Sequence, residues 1–295
     1  MNLFSKNRNK ISLHFTGAIL SVLAFLLYTI ADASRKLLIN DYDIISIIFW
    51  SSLLTVIIIT ITSLLTKNGL NNILVSHNMK MKILRGIILS FNTFFGLAAF
   101  SLLPMTNAYI IILTAPLIVV LLSSRMYGEK ITRYKLLAIA IGFIGAFIVI
   151  RPGFTEFNIG YLAAFGCAVF FAIGSSLIKK IGNNEGTLSH SFYPQIMSVF
   201  LTAIYLMFDI TPISLDDLPL VILASASIIL GTSFIAWSMN KIQSSETMLY
   251  HYSQIIWGII IGYIVFSDIP DIYSLIGASF VFSSGVVIYM NSRKK

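Results

Sequence analysis

The sequence predicts an all-α polytopic membrane protein of ten transmembrane helices, built as two inverted five-helix repeats. Three observations predict it. Hydrophobic residues make up 57% of the chain and charged ones only 11%, against roughly 25% charged in ordinary soluble domains, and the apolar runs are about 20 residues long, enough to cross a bilayer. Basic residues gather at alternate ends of those runs. A pattern in the first half of the chain returns in the second.

Apolar runs bounded by charge or by Pro, Gly and Asn punctuation place the spans at residues 15–33, 44–65, 83–103, 106–126, 134–150, 159–178, 190–209, 219–239, 246–266 and 273–290. The first follows Lys6, Arg8 and Lys10 and stops before Arg35 and Lys36. Ala31-Asp32-Ala33 imitates a signal-peptide cleavage site, but cleavage would leave an odd number of spans and an unpaired first half, so this helix is expected to stay attached. The second lies between Asp43 and Lys67. The third opens at Leu84-Arg85-Gly86, and a nearly chargeless turn at Leu103-Pro104 divides it from the fourth, so a single broken span is the alternative there. Gly128-Glu129 closes the fourth; Arg133 opens the fifth and Arg151-Pro152-Gly153 closes it. The sixth ends at Lys179-Lys180, the seventh runs to Asp209, and the eighth lies between Asp217 and Lys241. The ninth ends at Ser267-Asp268, and the tenth runs from Asp271 to the cluster at Arg293.

All 20 basic residues except Arg35, Lys36 and Arg151 fall at one set of ends, which the positive-inside rule assigns to the cytoplasm. Both termini are therefore expected in the cytoplasm of a bacterium, with the chain in its inner membrane. The net charge of +8 is thus topological and is no footprint for nucleic acid. Residues 97–150 align with 236–290 at an offset of 139 to 140, which sets Gly128-Glu129 on Ser267-Asp268 and Gly145 on Gly285. Five spans per repeat is an odd number, so the repeats (15–150 and 159–290) must run through the membrane in opposite senses. Such a pair of bundles can rock about a central site; duplication into a plain membrane scaffold is the other reading.

Leu84-Arg85-Gly86, Leu103-Pro104, Pro116, Gly128-Glu129, Gly142-Phe143-Ile144-Gly145 and Arg151-Pro152-Gly153, with Tyr252 to Trp257, Phe266 to Asp271 and Gly277-Ala278 in the second half, resemble the EamA branch of the drug/metabolite transporter superfamily. The resemblance implies a secondary transporter of a small organic metabolite; members move amino acids, nucleosides, sugars, vitamins or nucleotide-like compounds. Ala31 to Lys36 and Lys179-Lys180 are most similar to bacterial S-adenosylmethionine uptake carriers. Trp50, where many members carry arginine, and Ser267-Asp268, where Gly-Glu is usual, depart from the family pattern.

Ionisable groups at membrane depth are expensive and mark function by default. Asp32 stands near the end of the first span, either as a local ion pair with Arg35 or Lys36 or as a cavity carboxylate that binds a cation or a proton. In the ninth span Tyr250, Gln254 and Trp257 share one helical face with Glu246, offering aromatic stacking and an amide to a planar or cationic solute; an interfacial aromatic belt is the alternative. His251, on a neighbouring face, is a proton carrier or a helix–helix hydrogen-bonding group. Asn92, Tyr109 and Trp237 are further cavity candidates. Pro116 permits a bend in the fourth span, and Gly258 with Gly262 permits close packing within the chain or in a dimer. The chain has one cysteine, Cys167, four scattered histidines, and no GxxxxGK[ST], HExxH or GxSxG sequence, so neither an enzyme, a metal site nor a cofactor is expected. A channel's rings of charge are missing too. The expected partners are a small-molecule substrate and the lipid bilayer, with the chain a monomer or weak homodimer. The topology is open to test. Reporter fusions at Asn71, Arg133 and Lys241 should read cytoplasm, and fusions at Asp43, Phe157 and Asp216 the outside; two reversed signals defeat the inverted arrangement.

Overall fold

The computed structural model describes residues 3–65, 69–74, 78–128, 131–151, 158–181, 187–206, 211–239, 241–242, 247 and 250–292. Regular structure there is entirely helical: α1 (Leu3–Leu38), α2 (Ile44–Leu64), α3 (Asn71–Leu74), α4 (Met79–Leu102), α5 (Met105–Ile112), α6 (Ala115–Tyr127), α7 (Arg133–Ile150), α8 (Gly160–Ser176), α9 (Ile178–Ile181), α10 (Thr187–Leu206), α11 (Leu218–Met239), a 3-10 turn (Tyr250–Tyr252), α12 (Ser253–Phe266) and α13 (Ile272–Ser292). Among the described residues six stretches are long and apolar enough to cross a membrane: Phe15–Leu38, Ile44–Leu64, Met79–Leu102, Met105–Tyr127, Arg133–Ile150 and Leu218–Met239. Three shorter apolar helices, Gly160–Ser176, Tyr250–Phe266 and Ile272–Val287, accompany them. Phe147, Phe200 and Ile264 stand more than half exposed. Lipid tails solvate that kind of surface and water does not, so the chain is a polytopic membrane protein.

Local chemistry explains the helix ends. Asp43 caps α2 by accepting from Ile45 N and Ser46 N, both at 2.9 Å. Gly128 and Ser267, which coincide in the internal repeat, both end helices in the left-handed conformation, with φ of 67° and 56°. The expected limits shift at three places. Helix α1 runs on to Leu38 rather than stopping at residue 33, because Arg35 and Lys36 are accommodated by protein and do not mark a water boundary. The fourth span is divided into α5 and α6 at Leu113-Thr114. Pro116 lacks an N–H and its ring crowds the carbonyl four residues back, and Thr114 N bonds Ile111 O three residues back at 3.0 Å. In the ninth span Tyr250–Tyr252 form the 3-10 turn that leads into α12, and residues 243–246 and 248–249, including Glu246, lie outside the described residues.

The helices pack chiefly as α1 with α11, α4 with α8, α7 with α13, and α2 with α10. Between them runs α5, buried at every position except Asn107. The main core gathers around α5, with Phe100, Tyr109, Val149, Ala164, Tyr252 and Val281 among its members. A satellite core of Leu38, Ile47, Ile48, Leu97 and Val221 joins α1, α2, α4 and α11 at one end. Helices α7 and α13 cross at glycines, where a Cβ on Gly145 would stand 2.7 Å from Gly277 O and 2.8 Å from Phe280 Cβ. Backbone cannot yield there. Gly145→Ala should therefore lower the thermal midpoint of the detergent-purified protein, overpacking of this kind costing about 1–3 kcal/mol. Gly262→Ala is the control, since its nearest neighbour is 3.6 Å away and alanine favours the helix; equal midpoints for the two variants would refute the crossing as a tight contact.

Candidate functional site

Tyr109 sits in the middle of α5 and is 1% exposed. Gly258 on α12 leaves the space its ring occupies, because a Cβ there would stand 2.5 Å from Tyr109 Cδ2. That glycine packs within the chain, as one of its two sequence readings expects. Phe100 of α4 meets the Tyr109 ring edge-on at 5.1 Å. Held this way, the Tyr109 hydroxyl donates to Asp32 Oδ2 on α1 at 2.8 Å. The carboxylate is thus in an interhelical hydrogen bond at the bundle core.

Lys36 is not the partner of Asp32. Its Nζ donates to Leu103 O at 2.9 Å, lies 3.7 Å from Asp268 Oδ2, and sits over the Phe266 ring at 4.8 Å. Asp268 Oδ2 also accepts from Met105 N at 3.3 Å, so Lys36 and Asp268 together hold the turn from α4 to α5. At the same end Arg151 is paired with Asp271 and stacks on Tyr273, its guanidinium carbon 4.2 Å from the ring centre. A cleft of about 160 Å³ between these pairs is lined by Thr106, Asn107, Asp268 and Asp271 among others.

The remaining candidates fall at different depths. Asn92 reaches across to α8, where Nδ2 donates to Cys167 O and contacts Cys167 Sγ, both at 3.0 Å; Cys167 is an electrostatic neighbour of Asp32. His251 is buried between Phe25 of α1 and Phe171 of α8, ring centres 4.7 Å and 5.1 Å away. Gln254 is buried one turn further on, and Trp257 is half-buried, its Nε1 without a hydrogen-bond partner among the described residues. Tyr250 is half-buried in the 3-10 turn, whose three residues per turn break the single face expected through Tyr250, Gln254 and Trp257, and it is His251 and Tyr252 that turn inward. Trp237 does not join the group: 52% exposed, it rests on Phe234, while α11 turns Val221, Ala224, Gly231 and Ser238 inward.

Several site residues were missed by reasoning from sequence. Phe25 and Phe171, which flank His251, looked like ordinary apolar-span residues. Arg85, counted as a loop charge, lies inside α4, donates to Gly174 O at 3.1 Å and His190 O at 3.2 Å, and is an electrostatic neighbour of Tyr28. Its position after Leu84 in an otherwise apolar run was the available signal. Helices α1, α4, α5, α8 and the start of α12 carry, at different depths, one carboxylate, one cysteine, one imidazole and several aromatic faces. Such a group can bind a polar organic solute by charge and stacking.

Residues 15–151 and 158–290 each match the EamA-like transporter family. The chain is 25% identical over 217 residues, 72% of either protein, to a protein of Rickettsia prowazekii named S-adenosylmethionine uptake transporter. It is 23% identical over 267 residues, 89% of this chain and 92% of the other, to the pseudopaline exporter CntI of Pseudomonas aeruginosa. A solved crystal structure superposes with a TM-score of 0.63 at 18% identity, covering 94% of this chain and 98% of that one, a likeness of fold alone.

The Tyr109 hydroxyl is the donor that makes Asp32 tolerable in the core. Tyr109→Phe keeps the ring and strands the carboxylate, a loss that costs about 1–3 kcal/mol for a buried group. Its thermal midpoint should fall below that of wild type and below that of the double variant Asp32→Asn with Tyr109→Phe, in which the charge is gone. Equal midpoints for the single and double variants would show that the hydroxyl does not compensate the charge.

Proposed function

The chain belongs to the EamA-like transporter family, and from that premise we propose that it is a secondary carrier that moves a cationic or zwitterionic organic metabolite across the bacterial inner membrane by alternating access. Transport of a small molecule is common to its named relatives. The hydrogen-bonded Asp32 carboxylate at the bundle core carries the reading, since a charge there serves a substrate or an ion. Phe25, Phe171 and the His251 ring stack on one another about two turns of α1 away from it and add aromatic faces. A planar, positively charged solute suits that pairing of charge and faces, and S-adenosylmethionine has both features.

Ten spans in two inverted repeats complete the proposal, with α5 and α6 forming one span. The packing partners support it. Exchanging each span with the one five places on turns the α1–α11 pair into the α8–α4 pair and maps α2–α10 and α7–α13 onto themselves, and all four are main contacts of the bundle. In the reading proposed, the ion pairs Lys36–Asp268 and Arg151–Asp271 close the outer face and part when the site opens outward.

Purified protein in proteoliposomes tests this with labelled S-adenosylmethionine, S-adenosylhomocysteine and neutral amino acids, each supplied outside or inside. Saturable movement of at least one solute is expected. Asp32→Asn should weaken the cationic solute by about tenfold or more, the 2–5 kcal/mol typical of losing one member of a desolvated pair, and spare neutral ones. Equal, small losses for every solute would remove Asp32 from recognition.

A further inference from the structure

Three basic residues break the positive-inside pattern, and the structure accounts for two of them. Lys36 is engaged by Leu103 O and Asp268, and Arg151 by Asp271 and Tyr273. Arg35 is different. It is 5% exposed, and neither Nε nor Nη2 has a hydrogen-bond partner among the described residues. Asp32, three residues back on the same face of α1, acts on it through space, and its Oδ2 accepts a hydrogen bond from the Tyr109 hydroxyl instead. A guanidinium stays charged at any physiological pH, so leaving its donors unmatched in a buried place is costly.

We propose that Arg35 is the docking group for a carboxylate of the transported solute, with Asp32 beside it taking the solute's cationic centre. This rests on the carrier reading above and narrows it to zwitterions with an amino-acid end. The planar fork of N–H groups at Arg35 matches the two oxygens of a carboxylate, which lysine cannot imitate. Arg35 and Asp32 lie one helical turn apart, and an α-amino acid presents its carboxylate and ammonium within a single carbon of each other. The two unmatched nitrogens of the guanidinium, Nε and Nη2, are the half of the site that awaits its ligand. A lipid or inorganic phosphate offers similar oxygens, and the test separates these sources.

Detergent-purified full-length protein is heated with S-adenosylmethionine, S-adenosylhomocysteine or common L-amino acids, each beside its decarboxylated or methyl-ester counterpart, and separately with inorganic phosphate and phosphatidylglycerol. At least one zwitterion should raise the thermal midpoint while its carboxylate-free counterpart does not. Arg35→Gln should abolish that protection, and Arg35→Lys should weaken the affinity by about tenfold or more. Without ligand, Arg35→Gln should melt at or above the wild-type temperature, because it removes a buried charge two of whose nitrogens have no hydrogen-bond partner among the described residues. Protection by no zwitterion, equal protection by the counterpart, retained protection in Arg35→Gln, or a ligand-free Arg35→Gln protein that melts lower would each overturn the assignment. Protection by phosphate or phosphatidylglycerol alone would overturn it in favour of a phosphate site. The carrier reading fails separately. Protection without movement into proteoliposomes defeats transport and leaves Arg35 standing, whereas movement that ignores the carboxylate does the reverse.

Discussion

A carboxylate inside a bundle surrounded by lipid must find its donors within the protein, and for Asp32 that donor is the Tyr109 hydroxyl at 2.8 Å. Much of the local architecture follows from keeping that bond. Tyr109 must be fully buried, so α5 is buried almost throughout, and α5 is short because Pro116 ends its hydrogen-bond ladder within a turn of the tyrosine. The ring needs a facing position with no side chain, which Gly258 supplies. The entry to α5 is held in turn by Lys36 and Asp268, which fasten Leu103 O and Met105 N. Changes at any of these points therefore reach the same carboxylate.

The charges at the Lys36 end of the bundle make a second system linked to the first. Alternation of basic residues is a rule about insertion, and a residue that violates it carries a cost unless it is used. Lys36 and Arg151 are used in joining α1 to the loop after α12 and α7 to the start of α13. Both acids belong to the short segment from Ser267 to Asp271, the part of the second half whose Ser267-Asp268 departs from the family's Gly-Glu. The left-handed Ser267 turns the chain so that Asp268 faces Lys36, where glycine would reach the same conformation with less strain. That departure affects how this end of the bundle is tied together and leaves the helices as they are.

Bilayer thickness makes the spans legible, since it imposes a length that composition cannot hide: the starts and ends of α2, α7 and α11 fall within a residue of their expected places. What failed was the use of charge as a boundary at Arg35, because buried protein partners and buried isolation look alike in one dimension. Asp32 and Tyr109 were each identifiable as polar groups in apolar spans, but their pairing was not, for 77 residues separate them. Trp237 was misplaced for a different reason. Helix α11 is apolar nearly all round, so periodicity carries no information about which side faces the core, and the small residues that do face it (Ala224, Gly231, Ser238) give a weaker signal than a tryptophan. The 3-10 turn before α12 was also invisible, because no proline or glycine marks it.

On the alternating-access reading, interfaces must part without stranding donors in lipid, and the hydroxyls of this bundle fall into two kinds in that respect. Ser21 bonds Ser238 across α1 and α11 at 2.7 Å and also its own Gly17 O at 3.0 Å. Ser90 accepts from Ser198 across α4 and α10 at 3.0 Å and donates to its own Gly86 O at 2.9 Å. Ser21 and Ser90 keep an intrahelical acceptor when the neighbour moves away, so their own hydroxyls are not stranded. The bonds at the site have no such fallback. Tyr109 and Asp32 can part only if another donor takes the carboxylate, and Lys36 leaves Asp268 only if other charges or water replace it. A solute that brings a cationic centre to Asp32 and a carboxylate to Arg35 would supply the missing partners, and the motion would then be tied to occupancy by the same rule that forbids orphaned polar groups in a membrane.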